Sequence, residues 1–432
     1  MNQAPAPTHL LPPTTGTSRL LEAWHTESHP ADLTEHLNRH GPPPRIGASL
    51  IEAVEQAGLT GRGGAGFPTG RKMRSVAGRG RRAVVVANGM ESEPASRKDR
   101  LLLGVAPHLV LDGALLAAQA VGAHQVHLCV PRTSTEQSRE LAAAVDERRM
   151  AAIDPLPVIL HAAPHGYVTS ESSALVHWLN GGPARPLSTP PRTSEKGVRG
   201  RPTLVQNVET LAHIALIARH GPDWFRQAGT ADMPGTTLVT MTGTVRSPGV
   251  LEIEPGTTVG QLLQGLGGVP EPLQAVLLGG FAGTWLPVDQ ALGLGFSRSG
   301  LASAGATPGA GVVIALPHDA CGLAETARML TYLAANGAQQ CGPCLFGLPA
   351  VAADFIALAD GHADADLLSR LRRRVGLLPG RGACSHPDGA ARLAASALTT
   401  FADDVEQHLH RGHCERPSVL SVPGATRMNE WR

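Results

Sequence analysis

Gly61-Arg62-Gly63-Gly64-Ala65-Gly66-Phe67-Pro68-Thr69-Gly70, continued by Arg71-Lys72 and then by the apolar run Arg82-Ala83-Val84-Val85-Val86-Ala87, decides how the rest of the chain is read. The pattern G-x-G-x-x-G stands at Gly61, Gly63 and Gly66. A dinucleotide fingerprint of that form follows a strand and opens a helix. Here a helical pattern precedes it, with Ser49-Leu50-Ile51-Glu52 in the form of a capping box and Gly58 suited to the position past the helix end. The strand-like run comes after, and the Gly-Lys-Ser/Thr of a P-loop is missing. So many glycines still let backbone N–H groups come close to a phosphate or a flat ring, with Arg62 and Lys72 as counter-charges. A glycine-rich turn without a ligand is the plain alternative.

Outward from this stretch the pattern alternates. The run over 82–87 is continuous, as in a strand buried on both faces. Helical periodicity over 109–121, a strand over 126–130, a helix over 135–144 and a strand over 158–162 follow. This predicts an α/β unit over 41–228 with a parallel sheet. It would close with a helix over 171–179 and another starting near Gln206. Ala87-Asn88-Gly89-Met90-Glu91-Ser92-Glu93-Pro94 leaves the buried strand directly, at the carboxyl end where open α/β sheets bind ligands. Asn88 could hydrogen-bond a ring edge, and Glu91 and Glu93 could bind ribose hydroxyls; a solvated acidic loop is the alternative. Lys98-Asp99-Arg100 reads as a helix-face charge cluster. Strands over 237–242, 250–253, 275–278 and 312–315 around a helix over 259–266 suit a β-grasp-like unit at 235–318. Helical patterns over 324–335, 348–359, 364–371 and 390–409 predict a helical bundle at 319–412. Residues 1–40 and 413–432 read as flexible tails.

Composition narrows the function. The 432 residues carry 37 Lys plus Arg against 36 Asp plus Glu, so a net charge of +1 argues against nucleic acid or an anionic membrane as partner. No apolar run reaches membrane-spanning length, and the N-terminus lacks a secretory pattern, so a cytoplasmic protein is expected. Only Lys72, Lys98 and Lys196 are lysines. A chain that otherwise uses Arg keeps a compact, flexible ammonium where a planar guanidinium would not serve. Among six Cys, Cys341-Gly342-Pro343-Cys344 and Cys384 supply three thiolates suited to an iron–sulfur cluster or a metal. Inert buried cysteine is the alternative; Cys321 and Cys414 are the plausible extra thiolates, and Cys129 lies in a strand.

The glycine-rich loop, the Asn88 loop and the cysteine pair, in this order, resemble the NADH-binding flavoprotein subunit of NADH:quinone oxidoreductase, the family of complex I F subunits, over about residues 40–410. Gly166-Tyr167 with Glu171, and Asn207-Val208-Glu209-Thr210-Leu211, carry the resemblance further. It implies an α/β FMN-binding domain, a β-grasp-like SLBB domain and a helical-bundle iron–sulfur domain, in agreement with the three units above. It further implies that Gly61, Arg62, Gly63, Gly64, Gly66 and Lys72 hold the flavin phosphate and ring. Asn88 and Glu91 would line the isoalloxazine, and Tyr167, Glu171, Asn207 and Thr210 would complete the pocket. Phe67 and Glu93 would face a nicotinamide dinucleotide, NADH or NADPH, as donor. Cys341, Cys344 and Cys384 would bind a [4Fe–4S] cluster, and an iron–sulfur or ferredoxin-like protein would accept the electrons, within a soluble or peripherally membrane-attached complex. Met90, Ser172, Ser75, Arg192, Met73 and Ala338 stand where the family has other residues, Ala338 in place of the first cluster cysteine. These departures keep a second expectation in view, a non-catalytic paralogue acting as a binding or assembly subunit.

Overall fold

The computed structural model describes residues 18–79, 82–424 and 430–432. The first unit contains α1 (Glu22–Glu27), α2 (Leu33–His40), α3 (Ser49–Ala57), α4 (Thr69–Ala77), β1 (Ala83–Asn88), α5 (Lys98–Val105), α6 (Pro107–Ala120), β2 (Ala123–Pro131), α7 (Thr135–Met150), β3 (Val158–Ala163), α8 (Ser172–Leu179), β4 (Thr203–Asn207) and α9 (Val208–Arg226). Its four strands form one sheet in the order β3-β2-β1-β4, every pair parallel. β1 is central and Ala83 to Ala87 are all buried, which is why that run does not alternate. α6 lies against α9 so closely that a Cβ on Gly113 would come within 1.8 Å of the Leu211 carbonyl oxygen. Beside it the buried Asp112 carboxylate binds Arg148, Arg219 and His36, tying α6 to α7, α9 and α2.

Three local expectations are corrected. Ser49 begins α3 but its hydroxyl donates to the Ile46 carbonyl, 2.8 Å away, and no capping box forms. The stretch before the 206-region helix is a strand, β4, which pairs with β1. Residues 18–40 are not a loose tail: the Glu252 carboxylate accepts the backbone N–H groups of Arg19, Leu20 and Leu21 at 2.9–3.0 Å, and Asp32 and Glu35 form a capping box on α2. The rest of that tail, 1–17, lies outside the described residues.

The second unit comprises β5 (Gly229–Thr230), β6 (Met233–Pro234), β7 (Thr237–Gly243), β8 (Gly249–Ile253), α10 (Val259–Gly265), β9 (Leu273–Leu278), β10 (Thr284–Pro287), α11 (Val288–Ala291), α12 (Arg298–Ala302) and β11 (Val312–Pro317). Five strands form a mixed sheet, β10-β9-β11-β7-β8, with α10 packed on its apolar core. The third unit is helical: α13 (Gly322–Ala335), α14 (Leu348–Ala359), α15 (Leu367–Leu377), α16 (His386–Thr400) and α17 (Ala402–Arg411). The single helix expected over 390–409 is two, broken at Phe401, whose ring is buried against Trp285. The expected C-terminal tail, 413–432, is anchored at two points among its described residues, where Leu420 and Trp431 are buried. Among the described residues no single helix is long and apolar enough to cross a membrane.

Candidate functional site

Parallel pairing sets Asn88 and Asn207 side by side, as register partners at the carboxyl ends of β1 and β4. The glycine loop folds over this edge. Gly61 N–H donates to the Phe67 carbonyl at 2.9 Å, Arg62 N–H donates to Thr210 Oγ1 at 2.9 Å, and Gly63 sits so near Asn207 that an added Cβ would meet its Cβ at 3.2 Å. The loop then opens α4, and Lys72 in its first turns reaches back to donate to the Val205 carbonyl of β4. Asn88 Nδ2 donates to the Ser170 carbonyl at 2.8 Å, which brings up the segment bearing Tyr167 and Glu171. Asn207 Nδ2 donates to Asp99 Oδ2 at 2.6 Å. Asp99 and Glu209 flank the buried Lys98, so the charge cluster expected on a helix face is an interior ion network.

Not every site residue turns its side chain to this edge. The Arg62 guanidinium points inward and donates to the Pro234 carbonyl at 2.6 Å, and the Glu91 carboxylate caps α5 by accepting Asp99 N–H and Arg100 N–H at 2.8 and 2.9 Å. Gly64 and Gly66 take φ of +101° and +60°, which only glycine adopts without strain. Phe67, 45 % exposed, stands at the rim.

Electrostatics connect the loop to the cysteines. Burial lowers Lys72 to about 8, opposed by the charge of Glu171, and Glu171 also helps raise Cys384, whose largest cause is again burial. Glu171 therefore lies within electrostatic reach of both the lysine and the third cysteine, while its carboxylate caps α8. Cys341, Cys344 and Cys384 act on one another, and burial followed by its partner Cys341 pushes Cys344 up to about 12. They sit where α13 ends: an added Cβ on Gly337 would lie 3.2 Å from Cys344 Sγ. A one-turn π-helix over Pro343–Gly347 carries Cys344 into α14.

Between loop and thiols runs a chain of aromatic and acidic groups. Glu93 is buried and accepts from Tyr167 OH at 3.2 Å and from Phe281 N–H, in the second unit, at 3.1 Å. Burial raises its carboxyl to about 7. The Tyr167 ring lies 5.3 Å from His386 and 6.1 Å from Tyr332 of the third unit. His386, which no motif singled out, donates from Nε2 to the Leu333 carbonyl at 2.9 Å and buries Nδ1 with no partner. Trp431, equally unforeseen, packs with Val168 over Ala338, the residue that the resemblance sets in place of the first cluster cysteine. No periodicity announces either; only Cys384-Ser385-His386 as a local cluster could have drawn attention to the histidine.

The donor set fits a ring-bearing phosphate ester. A half-buried ammonium hydrogen-bonded to a carbonyl alone, buried Thr69 Oγ1 and Gln206 Nε2 without partners, and the close glycine loop at a helix start all favour an anion there. An anion-and-ring site at the switch edge of a parallel sheet, joined through buried aromatic residues to clustered thiols, defines an electron-transfer component of the flavin and iron–sulfur type. Comparison agrees: residues 54–216 match the Nuo51 FMN-binding domain, 238–280 the SLBB domain and 324–408 the NADH-ubiquinone oxidoreductase-F iron-sulfur binding region. The F subunit of NADH-quinone oxidoreductase from Salmonella typhimurium is 31 % identical over 374 residues, 83 % of each chain. Its counterpart from Streptomyces coelicolor is 31 % identical over 392 residues, covering 88 % of this chain and 87 % of its own. A crystal structure of an NAD+-reducing [NiFe]-hydrogenase in the air-oxidized state superposes with a TM-score of 0.83 at 29 % identity, covering 95 % of this chain and 70 % of that one. The chain belongs to the family of NADH-quinone oxidoreductase F subunits, which are oxidoreductase components.

Proposed function

We propose that this chain oxidises a reduced nicotinamide dinucleotide and delivers the electrons to an iron–sulfur protein partner. The supporting observation is the continuity of one path that is buried at Glu93, His386 and Cys344 and half-buried elsewhere: Lys72 and Glu171 beside the glycine loop, Glu93 and Tyr167 beyond it, and His386 and the three cysteines at its end. FMN, when bound, supplies hydride acceptance and the conversion of an electron pair into single electrons. Gly61, Gly63, Gly64 and Gly66 let the backbone approach its phosphate, and Lys72 gives that phosphate a compact positive charge. Asn88, Asn207 and Thr210 hold the loop against the strand ends. Phe67, at the rim, offers a flat apolar face to the donor, and Glu93 holds a proton at its carboxyl near neutral pH. Tyr167 and His386 exclude water between the two halves of the site. Cys341, Cys344 and Cys384 provide three thiolates for a cluster, and the unpartnered Nδ1 of His386 is a neutral imidazole nitrogen two residues from Cys384.

One observation favours the second reading, a paralogue retained for binding or assembly. Met90, in place of the family's acidic residue, is fully buried in an apolar cluster with Val84, Val86 and Leu175, and Ala338 is sealed under Trp431. The absorbance spectrum of anaerobically purified protein, with iron and sulfide analysis, separates the two readings. Flavin bands that bleach with NADH or NADPH over a broad iron–sulfur shoulder are expected; a colourless protein would make the assembly reading the better one.

A further inference from the structure

Cys321, His408 and Cys414 bring one ligand atom each to within 4.8 Å of one another. These are not the cluster thiols. Cys321 is the N-cap of α13, whereas Cys344 lies beside Gly337 at its other end, and a helix of 14 residues is ~21 Å long at 1.5 Å per residue. The two cysteines that could have completed the cluster are therefore at the far pole of the bundle.

We propose that Cys321, His408 and Cys414 form a separate Zn2+ site that staples the C-terminal segment to the helical unit. Two sulfurs and an imidazole are the soft and borderline donors that zinc takes in structural sites. Bond lengths of about 2.3 Å to sulfur and 2.0 Å to nitrogen set tetrahedral ligand atoms about 3.5–3.8 Å apart. Cys321 Sγ and His408 Nε2 are already 3.9 Å apart. The imidazole is oriented from behind, because Nδ1 donates to the Leu358 carbonyl at 3.1 Å and so leaves the Nε2 lone pair facing the sulfurs. That lone pair meets the Cys414 N–H at 3.3 Å, a contact that coordination would replace. The Cys321 sulfur accepts the Ala324 N–H at 3.4 Å at the start of α13; burial otherwise keeps this thiol protonated, so it is the metal that would draw off the proton. Cys321 and His408 are buried and Cys414 is half-buried, so the fourth position opens toward water. Binding releases the thiol protons to solvent, and no redox change is involved.

The segment after Cys414 gains an anchor from this site. Cys321 N–H donates to the Pro417 carbonyl at 3.2 Å, Glu325 accepts the N–H groups of Val419 and Leu420, and Arg416 pairs with Asp404. Zinc would fix the loop at its first residue, and these bonds would then zip the rest along α13.

Metal analysis of the anaerobically purified full-length protein tests this together with Cys414→Ser and Cys341→Ser. Wild type should carry one equivalent of zinc; Cys414→Ser should lose at least nine-tenths of it and keep its iron, and Cys341→Ser should do the reverse. Co2+ added to zinc-stripped wild type should give thiolate-to-cobalt charge-transfer absorption, a readout that needs no variant. Zinc unchanged in Cys414→Ser, iron lost with Cys414, no cobalt–thiolate absorption, or a Cys321–Cys414 disulfide in unreduced peptide maps would each overturn the site. Because zinc is read separately from flavin and iron, failure here leaves the oxidoreductase reading untouched.

Discussion

Lys72 shows how far a single residue could be read ahead. Its rarity and its place after the glycine loop mark it as a ligand contact, and the structure adds its state: half-buried, bonded to a carbonyl, lowered by desolvation from 10.5 to about 8. The sign follows. Between about 8 and 10.5 the folded chain without flavin has released a proton that the unfolded chain keeps, so its stability from this group rises with pH. A phosphate dianion favours the ammonium and reverses that preference, so flavin binding takes up a proton in the same window. The FMN dissociation constant, followed by quenching of flavin fluorescence, should be flat between about pH 7, where the phosphate is already a dianion, and pH 8, and rise up to about tenfold per pH unit above it. Lys72→Ala should bind weakly at every pH, without the slope, in a protein that still folds. Glu93 carries the opposite sign. Burial raises it from 4.5 to about 7, so its contribution is fully present below pH 4.5 and is lost as pH rises through 7, about 3 kcal/mol across the window. Glu93→Gln keeps an acceptor for Phe281 N–H and Tyr167 OH, and its urea-denaturation stability should lack that decline; parallel profiles for the two proteins would mean that the carboxyl does not titrate there. Where Arg62 and Glu91 direct their side chains was not legible, because Pro234 and the start of α5 decide it through contacts that a motif does not encode.

At the scale of elements, the sequence spoke clearly wherever a long apolar period had one explanation. β1 and the helices of the first unit are such cases, and their alternation predicts the parallel sheet that puts Asn88 beside Asn207. β4 was hidden because its five residues run into α9 with no turn between, Asn207 ending the strand and capping the helix at once. The segment before residue 40 was hidden for a different reason: its order is imposed by Glu252, more than 230 positions away. Glu252 is buried on β8, and burial raises its carboxyl while the three backbone N–H groups and Thr236 pull it back down. Glu252→Ala should cost roughly 2–4 kcal/mol through the loss of several hydrogen bonds to a charged acceptor. Hydrogen exchange would localise the effect, with the Arg19, Leu20 and Leu21 amides losing at least about thirtyfold protection and α1 and α2 following. Exchange that accelerates uniformly over the first unit would instead make Glu252 a general core contact.

In the whole molecule, the chain's last described residues return to its functional centre. Ala184 N–H donates to the Trp431 carbonyl at 2.7 Å, Arg185 stacks over the indole at 4.5 Å, Arg132 donates to the Arg432 carbonyl, and the indole closes on Val168 and Ala338. A cluster held by three cysteines has one iron without a thiolate, and such an iron is exposed to exchange and oxidation unless protein covers it. Were Cys341, Cys344 and Cys384 to hold the cluster, Trp431, packed on Ala338, would be the side chain placed to cover that iron. Trp431→Ala should therefore do two things of different origin. Loss of a buried indole should destabilise the protein by about 3 kcal/mol in chemical denaturation. Loss of the cover should also let iron pass to a chelator at least about tenfold faster under native conditions, while flavin content is unchanged. A control with comparable destabilisation elsewhere, such as Phe225→Ala in the first unit's core, separates the two effects. Equal iron-release rates in both variants would reduce Trp431 to packing; faster release in Trp431→Ala alone would mean that the C-terminus substitutes, by burial, for the ligand that Ala338 cannot provide.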